Sequence, residues 1–273
     1  MISMFVISIV KYCAMALYLY PFCVSGLKVG LPPSMQLKLN QPVHCLSENL
    51  QGRDFVVGDV HGCASLLEAA LNQVNFDETR DRLLSVGDLI DRGPDSYALL
   101  SWLGKPWFFS CLGNHEEILL KFMASGDHEL GSQWSSFGGS WFFRLRPQQR
   151  IELAEKISLN MSYAIECRLQ QQLYAVMHAD FPPDIGWPAF KQGIDCKPEW
   201  QRSCLWDRDR GKGLRLDSME GIDRLFTGHH IVDEPRLIGN VQMIDTGAYK
   251  AQNGDGKLTL AQLAGDLHSF SLS

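Results

Sequence analysis

The 273-residue chain lacks a basic face, since 25 Lys and Arg stand against 31 Asp and Glu and the formal net charge is −6. Neutralising nucleic-acid phosphates needs such a face, so no nucleic-acid partner is expected. A phosphorylated substrate is still allowed, because a bound metal ion inverts the local field. The 8 cysteines, at 13, 23, 45, 63, 111, 167, 196 and 204, include no C-x-x-C pair and no zinc-ligand spacing. A chain this long folds without disulfides. They therefore read as free thiols in a reducing compartment, with Cys63 and Cys111 as small buried hydrophobes. There is no low-complexity tract and no internal repeat. At 45% hydrophobic and 21% charged residues, the composition is that of one α/β domain able to bury a full core.

Residues 1–27 stand apart, almost wholly apolar and broken by Lys11. An uncharged n-region, a lysine inside the apolar run and the lack of an A-x-A-like site argue against a signal peptide. The 16 residues of 12–27 contain Pro21 and fall short of the roughly 20 that a membrane span needs. The organised pattern begins only after Met35. The expected division is an apolar extension over 1–34, either an anchor or a mis-assigned start, and a catalytic domain over 35–273. The expected location is cytoplasmic; membrane contact arises only if residues 1–27 are retained as an anchor.

What is present is alternation. Residues 53–57, 82–86 and 107–112 read as buried strands. Helical spacing follows at 64–74, after the Gly93-Pro94-Asp95-Ser96 turn as far as Leu103, and at 116–123. This β-α-β-α-β order predicts a largely parallel sheet, whose ligands bind beyond the carboxyl ends of the strands. Further on, 147–159 reads as a helix. Residues 163–168 and 173–177 form a hairpin pair, and 184–213 is a long unpatterned loop. Strands are expected at 224–227, 241–244, 258–263 and 268–272, the second and third of these joined through an Asn253-Gly254-Asp255-Gly256 turn.

Three polar blocks fall at the first three strand ends: GDVHG (58–62), GDLIDRG (87–93) and GNHE (113–116). Two-metal hydrolytic sites hold ions roughly 3.5–4 Å apart around a bridging carboxylate. Asp59 and His61 alternate and reach one ion from one loop, with Asp88 as the bridge. Asn114 offers a neutral oxygen, and His178 and His229 offer nitrogen from later strand ends. Nitrogen and oxygen donors without thiolate suit manganese, iron or zinc better than calcium. Arg92 is placed to grip phosphate with a bidentate fork, and His115 to protonate a leaving oxygen with Asp91 fixing its tautomer. Singly, each has a plain structural explanation: a Gly-Asp turn, a helix N-cap at Asp91, a surface arginine. His44, His128 and His268 keep such a reading. None of the three blocks carries a Cys-x5-Arg arrangement, so no cysteine nucleophile is expected there.

At these residues the chain resembles the phosphoprotein phosphatase family of metallophosphoesterases, in its bacterial and phage branch. The further motifs GGSWFF (138–143), HAD (178–180), LWDRDR (205–210) and QMIDTGA (242–248) suggest that branch. The resemblance implies a calcineurin-like α/β (α+β) fold, a central β-sandwich flanked by helices. It implies that Asp59, His61 and Asp88 hold one divalent ion and that Asp88, Asn114, His178 and His229 hold a second, manganese first, with iron or zinc as alternatives. It further implies phosphate binding by Arg92, Arg208 and Asn114, and a general-acid pair of His115 and Asp91. The family usually has threonine after the last Gly-His. Here His230 stands there, and alignment gives the ligand role to His229. The reaction implied is hydrolysis of phosphorylated proteins or peptides by hydroxide held at the dinuclear centre, without a phosphoenzyme. A symmetrical diadenosine tetraphosphatase is the alternative; that group tends to carry Ala at the place of Asp91 and GNHD at that of GNHE. A non-catalytic metal-binding scaffold is the competing class.

Overall fold

The computed structural model describes residues 38–263 and the strand 267–270. The apolar extension, and with it the expectation of an anchor or of a start at Met35, lies outside the described residues.

In chain order, β1 (Val43–Cys45) precedes β2 (Asp54–Val57), α1 (Ala64–Gln73), β3 (Arg82–Ser85), α2 (Ser96–Leu100), β4 (Phe108–Cys111) and α3 (Asn114–Ser125). Then come α4 (His128–Ser136), a 3-10 segment (Gly139–Arg144), α5 (Pro147–Asn160) and β5 (Met161–Ser162), followed by β6 (Ala164–Leu169) and β7 (Gln172–Met177). The chain continues through α6 (Trp187–Gly193), α7 (Pro198–Trp206), β8 (Arg224–Thr227), β9 (Arg236–Ile238) and β10 (Val241–Met243). A second 3-10 segment (Ala248–Asn253), β11 (Leu258–Gln262) and β12 (Leu267–Phe270) complete it.

The parallel run β2-β3-β4-β5 does form, extended on the β2 side by antiparallel β11 and β12. A second six-stranded sheet, ordered β1-β6-β7-β8-β10-β9, packs against it. The period of two within the strands sets the layers. Val56, Leu84 and Cys111 point inward to meet Ile165, Cys167, Val176 and Phe226 of the other sheet. Phe55, Val57 and Leu83 point outward to helices α1 and α3. The far face of the second sheet is covered by α6 and α7 through Trp187, Phe190, Trp200 and Cys204. Both faces of the central strands are therefore buried, which is why they read as unbroken apolar runs.

Three expectations need correction. Residues 184–213 are not an unpatterned loop but hold α6 and α7, each with proline in its first turn (Pro188 and Pro198). Proline there lacks only an N–H that would be unpaired anyway, so it starts the helix instead of breaking it. The strands expected at 241–244 and 258–263 are not a joined pair. β10 and β11 lie in different sheets, and the chain crosses between them through the 3-10 segment 248–253. The helix expected to reach Leu103 ends at Leu100. Among the described residues no helix is long and apolar enough to cross a membrane.

Leu84 is fully buried between the sheets. Leu84→Ala is expected to lower unfolding stability by about 2–5 kcal/mol. Leu159→Ala, at a side chain 63% exposed, should stay within about 0.5 kcal/mol; denaturant titration of both variants checks this.

Candidate metal centre

Each polar block leaves its strand at the same end of the sandwich, so the loops after β2, β3, β4, β7 and β8 converge there. The turns that aim the side chains are strained. His61, Asp88, Asp91, Arg92 and His229 all have left-handed backbone, with φ of 46°, 48°, 73°, 69° and 64°. Such geometry costs a non-glycine residue about 1–3 kcal/mol and persists only where neighbours over-determine it. Glu116 supplies much of that constraint. Its carboxylate accepts the N–H groups of Asp88 (3.0 Å), Leu89 (2.8 Å), Ile90 (3.2 Å) and Gly113 (3.0 Å), tying the second block to the third. Two glycines make room for the acids. A Cβ at Gly113 would lie 2.1 Å from Asp88 Oδ1, and one at Gly228 would lie 1.9 Å from Asp59 Oδ1.

Asp88 sits at the centre with one oxygen toward each side. Its Oδ2 lies 3.5 Å from His61 Nε2 and 3.8 Å from His115 Nε2, and its Oδ1 lies 3.5 Å from His178 Nε2. Two groups able to hold a cation share it: His61, Asp88 and His115, and Asp88, His178 and His229. The imidazoles are set up as neutral donors. His61 Nδ1–H donates to Ile90 O (2.9 Å) and His178 Nδ1–H to Val86 O (3.1 Å), which leaves each Nε2 as a lone-pair acceptor facing inward. Burial drives these two rings and that of His229 down, His61 to about 3 and His229 to about 2, with His178 shifted the same way. Asp88 is lowered from the ordinary carboxylate range: burial alone would raise it, the imidazoles around it, led by His178 and His115, act the other way, and its Oδ1 accepts the backbone N–H of His115 at 3.0 Å.

The donor set fits a divalent cation on two counts. His178 Nε2 and Asn114 Oδ1, both acceptors, stand 2.9 Å apart, while His229 Nδ1, protonated where Arg208 donates to its Nε2, lies 2.9 Å from the same oxygen. A shared cation relieves such a meeting of lone pairs. Asp59 also shares a hydrogen bond with Asp245, and burial pushes both upward, Asp245 to about 6. Adjacent buried carboxylates need a shared proton or a cation. Asp59 lies 3.9 Å from His61 Nε2 and accepts the backbone N–H of His229 at 3.1 Å. The group that can hold a cation on this side is made of His61, Asp88 and His115, and Asp59 is not in it.

Arg92, Arg208 and the His115–Asp91 pair stand beside these groups. Arg92 is exposed, with Nη1 donating to His61 Nε2 (2.5 Å) and Nη2 to His115 Nε2 (3.2 Å). Arg208, also exposed, donates from Nε to His229 Nε2 at 3.1 Å. His115 Nδ1–H donates to Asp91 Oδ2 at 2.6 Å. Burial lowers His115, but the charges of Asp88 and Asp91 and that hydrogen bond reverse the shift and raise it. His230 is in neither cation-holding group: its ring packs over Gly211 and its Nδ1 is buried without a hydrogen-bond partner.

No spacing in the sequence assigns a role to Asp245, Tyr249, Trp134 or Trp141, and Glu116 stands out there only as a difference between families. Asp245 follows a short strand and precedes Gly247, the same local form as Asp59 and Asp88, and that was its available signal. Glu116 sits three residues after the helix N-cap Gly113, where a glutamate reaches back to free N–H groups. Tyr249 lies under the Arg92 guanidinium at 4.5 Å and edge-on to His61, a contact no spacing announces. Just beyond the three blocks, Cys204 and Arg210 do have Cys-x5-Arg spacing. Cys204 is fully buried, its thiol donates to Tyr163 O, burial pushes it up, and Arg210 is paired with Asp180. That geometry excludes a thiolate nucleophile at Cys204.

Two strand-end clusters joined by one aspartate define a calcineurin-like phosphoesterase site, and the model of that family matches residues 55–232. The chain belongs to the calcineurin-like phosphoesterase family. It is 35% identical over 213 residues to serine/threonine-protein phosphatase 2 of Salmonella typhimurium, covering 76% of this chain and 93% of that protein. The symmetrical bis(5'-nucleosyl)-tetraphosphatase of Cellvibrio japonicus is 32% identical over 139 residues, covering 47% of this chain and 45% of its own length. The solved structure of a serine/threonine phosphatase from Saccharomyces cerevisiae superimposes with a TM-score of 0.59 at 16% identity, covering 85% of each chain. At that identity the likeness speaks for the fold.

Gly113→Ala is expected to keep the fold, by circular dichroism, and to bind manganese at least about tenfold more weakly because Asp88 is displaced. Calorimetric titration of the metal-free protein measures it.

Proposed function

We propose that the chain is a metal-dependent serine/threonine protein phosphatase that hydrolyses phosphomonoesters on phosphorylated proteins or peptides. The observation that carries this is the convergence on one mouth of Asp88, with an oxygen toward each cluster, two exposed arginines and the His115–Asp91 pair. We assign Asp59, His61 and Asp88 to one divalent ion and Asp88, Asn114, His178 and His229 to the other, with manganese the leading candidate. Such ions supply charge neutralisation at the phosphoryl group and acidification of a water.

The chain's own groups do the rest. Arg92 and Arg208 hold the non-bridging phosphate oxygens, and Asn114 helps to place them. As water attacks phosphorus it loses a proton to solvent, while the bond to the seryl or threonyl oxygen breaks and its electron pair stays on that oxygen. The oxygen takes a proton from His115 Nε2, while Asp91 keeps the opposite nitrogen protonated and the ring aligned. The free thiols among the described cysteines agree with a reducing, cytoplasmic setting. Asp91 also favours a phosphatase over a diadenosine tetraphosphatase, because the carboxylate is present and engaged by His115.

Chelation is expected to abolish turnover of p-nitrophenyl phosphate and manganese to restore it; no turnover by metal-loaded protein overturns the enzyme assignment. Across a panel, phosphoserine and phosphothreonine peptides should be cleaved faster than diadenosine tetraphosphate, and the opposite ranking selects the alternative. His115→Asn is expected to slow phosphopeptide turnover by about 10²-fold or more with metal content unchanged. Asp88→Asn should instead lose metal, and normal metal stoichiometry there counts against bridging.

A further inference from the structure

The GGSWFF motif and the helix before it have no part in holding metal or phosphate, yet they lie against the site. Asp91 is fully buried and carries three hydrogen bonds on its two oxygens. Besides His115 Nδ1–H, the indole of Trp134 donates to Oδ2 at 2.6 Å and that of Trp141 to Oδ1 at 2.7 Å. Trp134 comes from α4 and is itself fully buried, while Trp141 comes from the following 3-10 segment and is partly buried.

The two glycines of the motif make this approach possible. Gly138 has φ of 108°, and a Cβ there would fall 2.4 Å from the backbone nitrogen of Arg92. A Cβ at Gly139 would fall 2.3 Å from Trp134 Nε1, the atom that donates to Asp91. Phe142 and Phe143 then lock the segment, each packing against Phe122 and Trp134. Every residue type in the motif except Ser140 is accounted for by its fit around Asp91 and Arg92.

We propose that Trp134 and Trp141 are positioning residues that clasp the Asp91 carboxylate and thereby hold His115 as the acid for a poor leaving group, an inference that rests on the acid role proposed for His115 above. A buried carboxylate with one imidazole partner can take that partner's proton and swing with it. Two N–H donors stabilise the anion and fix both oxygens, so the imidazole has one direction in which to donate and Nε2 faces the mouth. Indole suits the task because it donates only, and can neither accept the proton from His115 nor pass it on. The consecutive left-handed residues Asp91 and Arg92 need such external restraint, and the clasp supplies it from a separate part of the chain.

Leaving-group dependence tests the clasp. The alkoxide of serine needs a proton as the bond breaks, whereas p-nitrophenolate departs without one. With manganese-loaded protein, Trp141→Phe and Trp134→Phe are expected to lower the ratio of kcat for a phosphoserine peptide to kcat for p-nitrophenyl phosphate by about tenfold, as His115→Asn does more strongly. Trp141 is the less buried of the two, so its variant serves if Trp134→Phe does not fold. In isotope-labelled protein, Asp91→Asn should move both indole N–H resonances. An unchanged ratio in a folded, metal-replete Trp141→Phe overturns the clasp and leaves the indoles as packing alone. An unchanged ratio in His115→Asn overturns the acid assignment as well, so the two failures are distinguishable.

Discussion

Asp88 is a carboxylate taken out of water and set among four imidazoles, and the rest of the site is arranged around that burial. An isolated charge at such a position would simply take up a proton. Its Oδ1 accepts the backbone N–H of His115, His61 and His115 face one oxygen and His178 the other, and its loop is gripped by Glu116. The left-handed turns at His61, Asp88 and His229 are the geometric cost of pointing short side chains at one spot from separate strands. Gly113 and Gly228 give the carboxylates the space that any side chain would fill.

The sandwich behind the site makes such a collection of turns sustainable. Its two sheets and two helical layers are rigid and fully packed, so the loops at the carboxyl ends inherit fixed anchor points. The loop bearing Arg208 has its own anchor. The carboxylate of Asp180 pairs with Arg210 at 3.0 Å and Arg215 at 3.5 Å, and both guanidiniums lie over the ring of Phe181. A buried ion pair of this kind contributes little net stability against an apolar alternative. Its effect here is geometric, fastening the segment of exposed Arg208 to the same strand end that presents His178.

The parts of the fold legible beforehand were those with local signatures. The strands at 54–57, 82–85 and 108–111 and their following helices carry apolar runs and spacings that depend on nearby residues alone. The second sheet was read only in pieces. β1, β5 and β9 are two or three residues long and too short for any period, and α6 and α7 begin with prolines that read as breaks. Which sheet a strand joins is likewise absent from its own residues, and so β10 and β11 looked like neighbours. Within the site, the histidines and acids of the three blocks stood out because polar groups interrupt apolar runs. Asp245, Tyr249, Trp134 and Trp141 did not, since their significance is a contact with residues far away in the chain.

The sequence alone determined the chemistry: which side chains can bind a cation, which can grip a phosphate, and that several separated strand ends carry them. These are properties of residue type and short spacing. Only the tertiary structure decided the division of labour. It turned one Asp88 oxygen to each side, aimed unprotonated imidazole nitrogens inward through bonds to Ile90 and Val86, and closed two indoles on Asp91. Orientation and burial come from packing between distant segments, and they bring a list of possible ligands together in one arranged site.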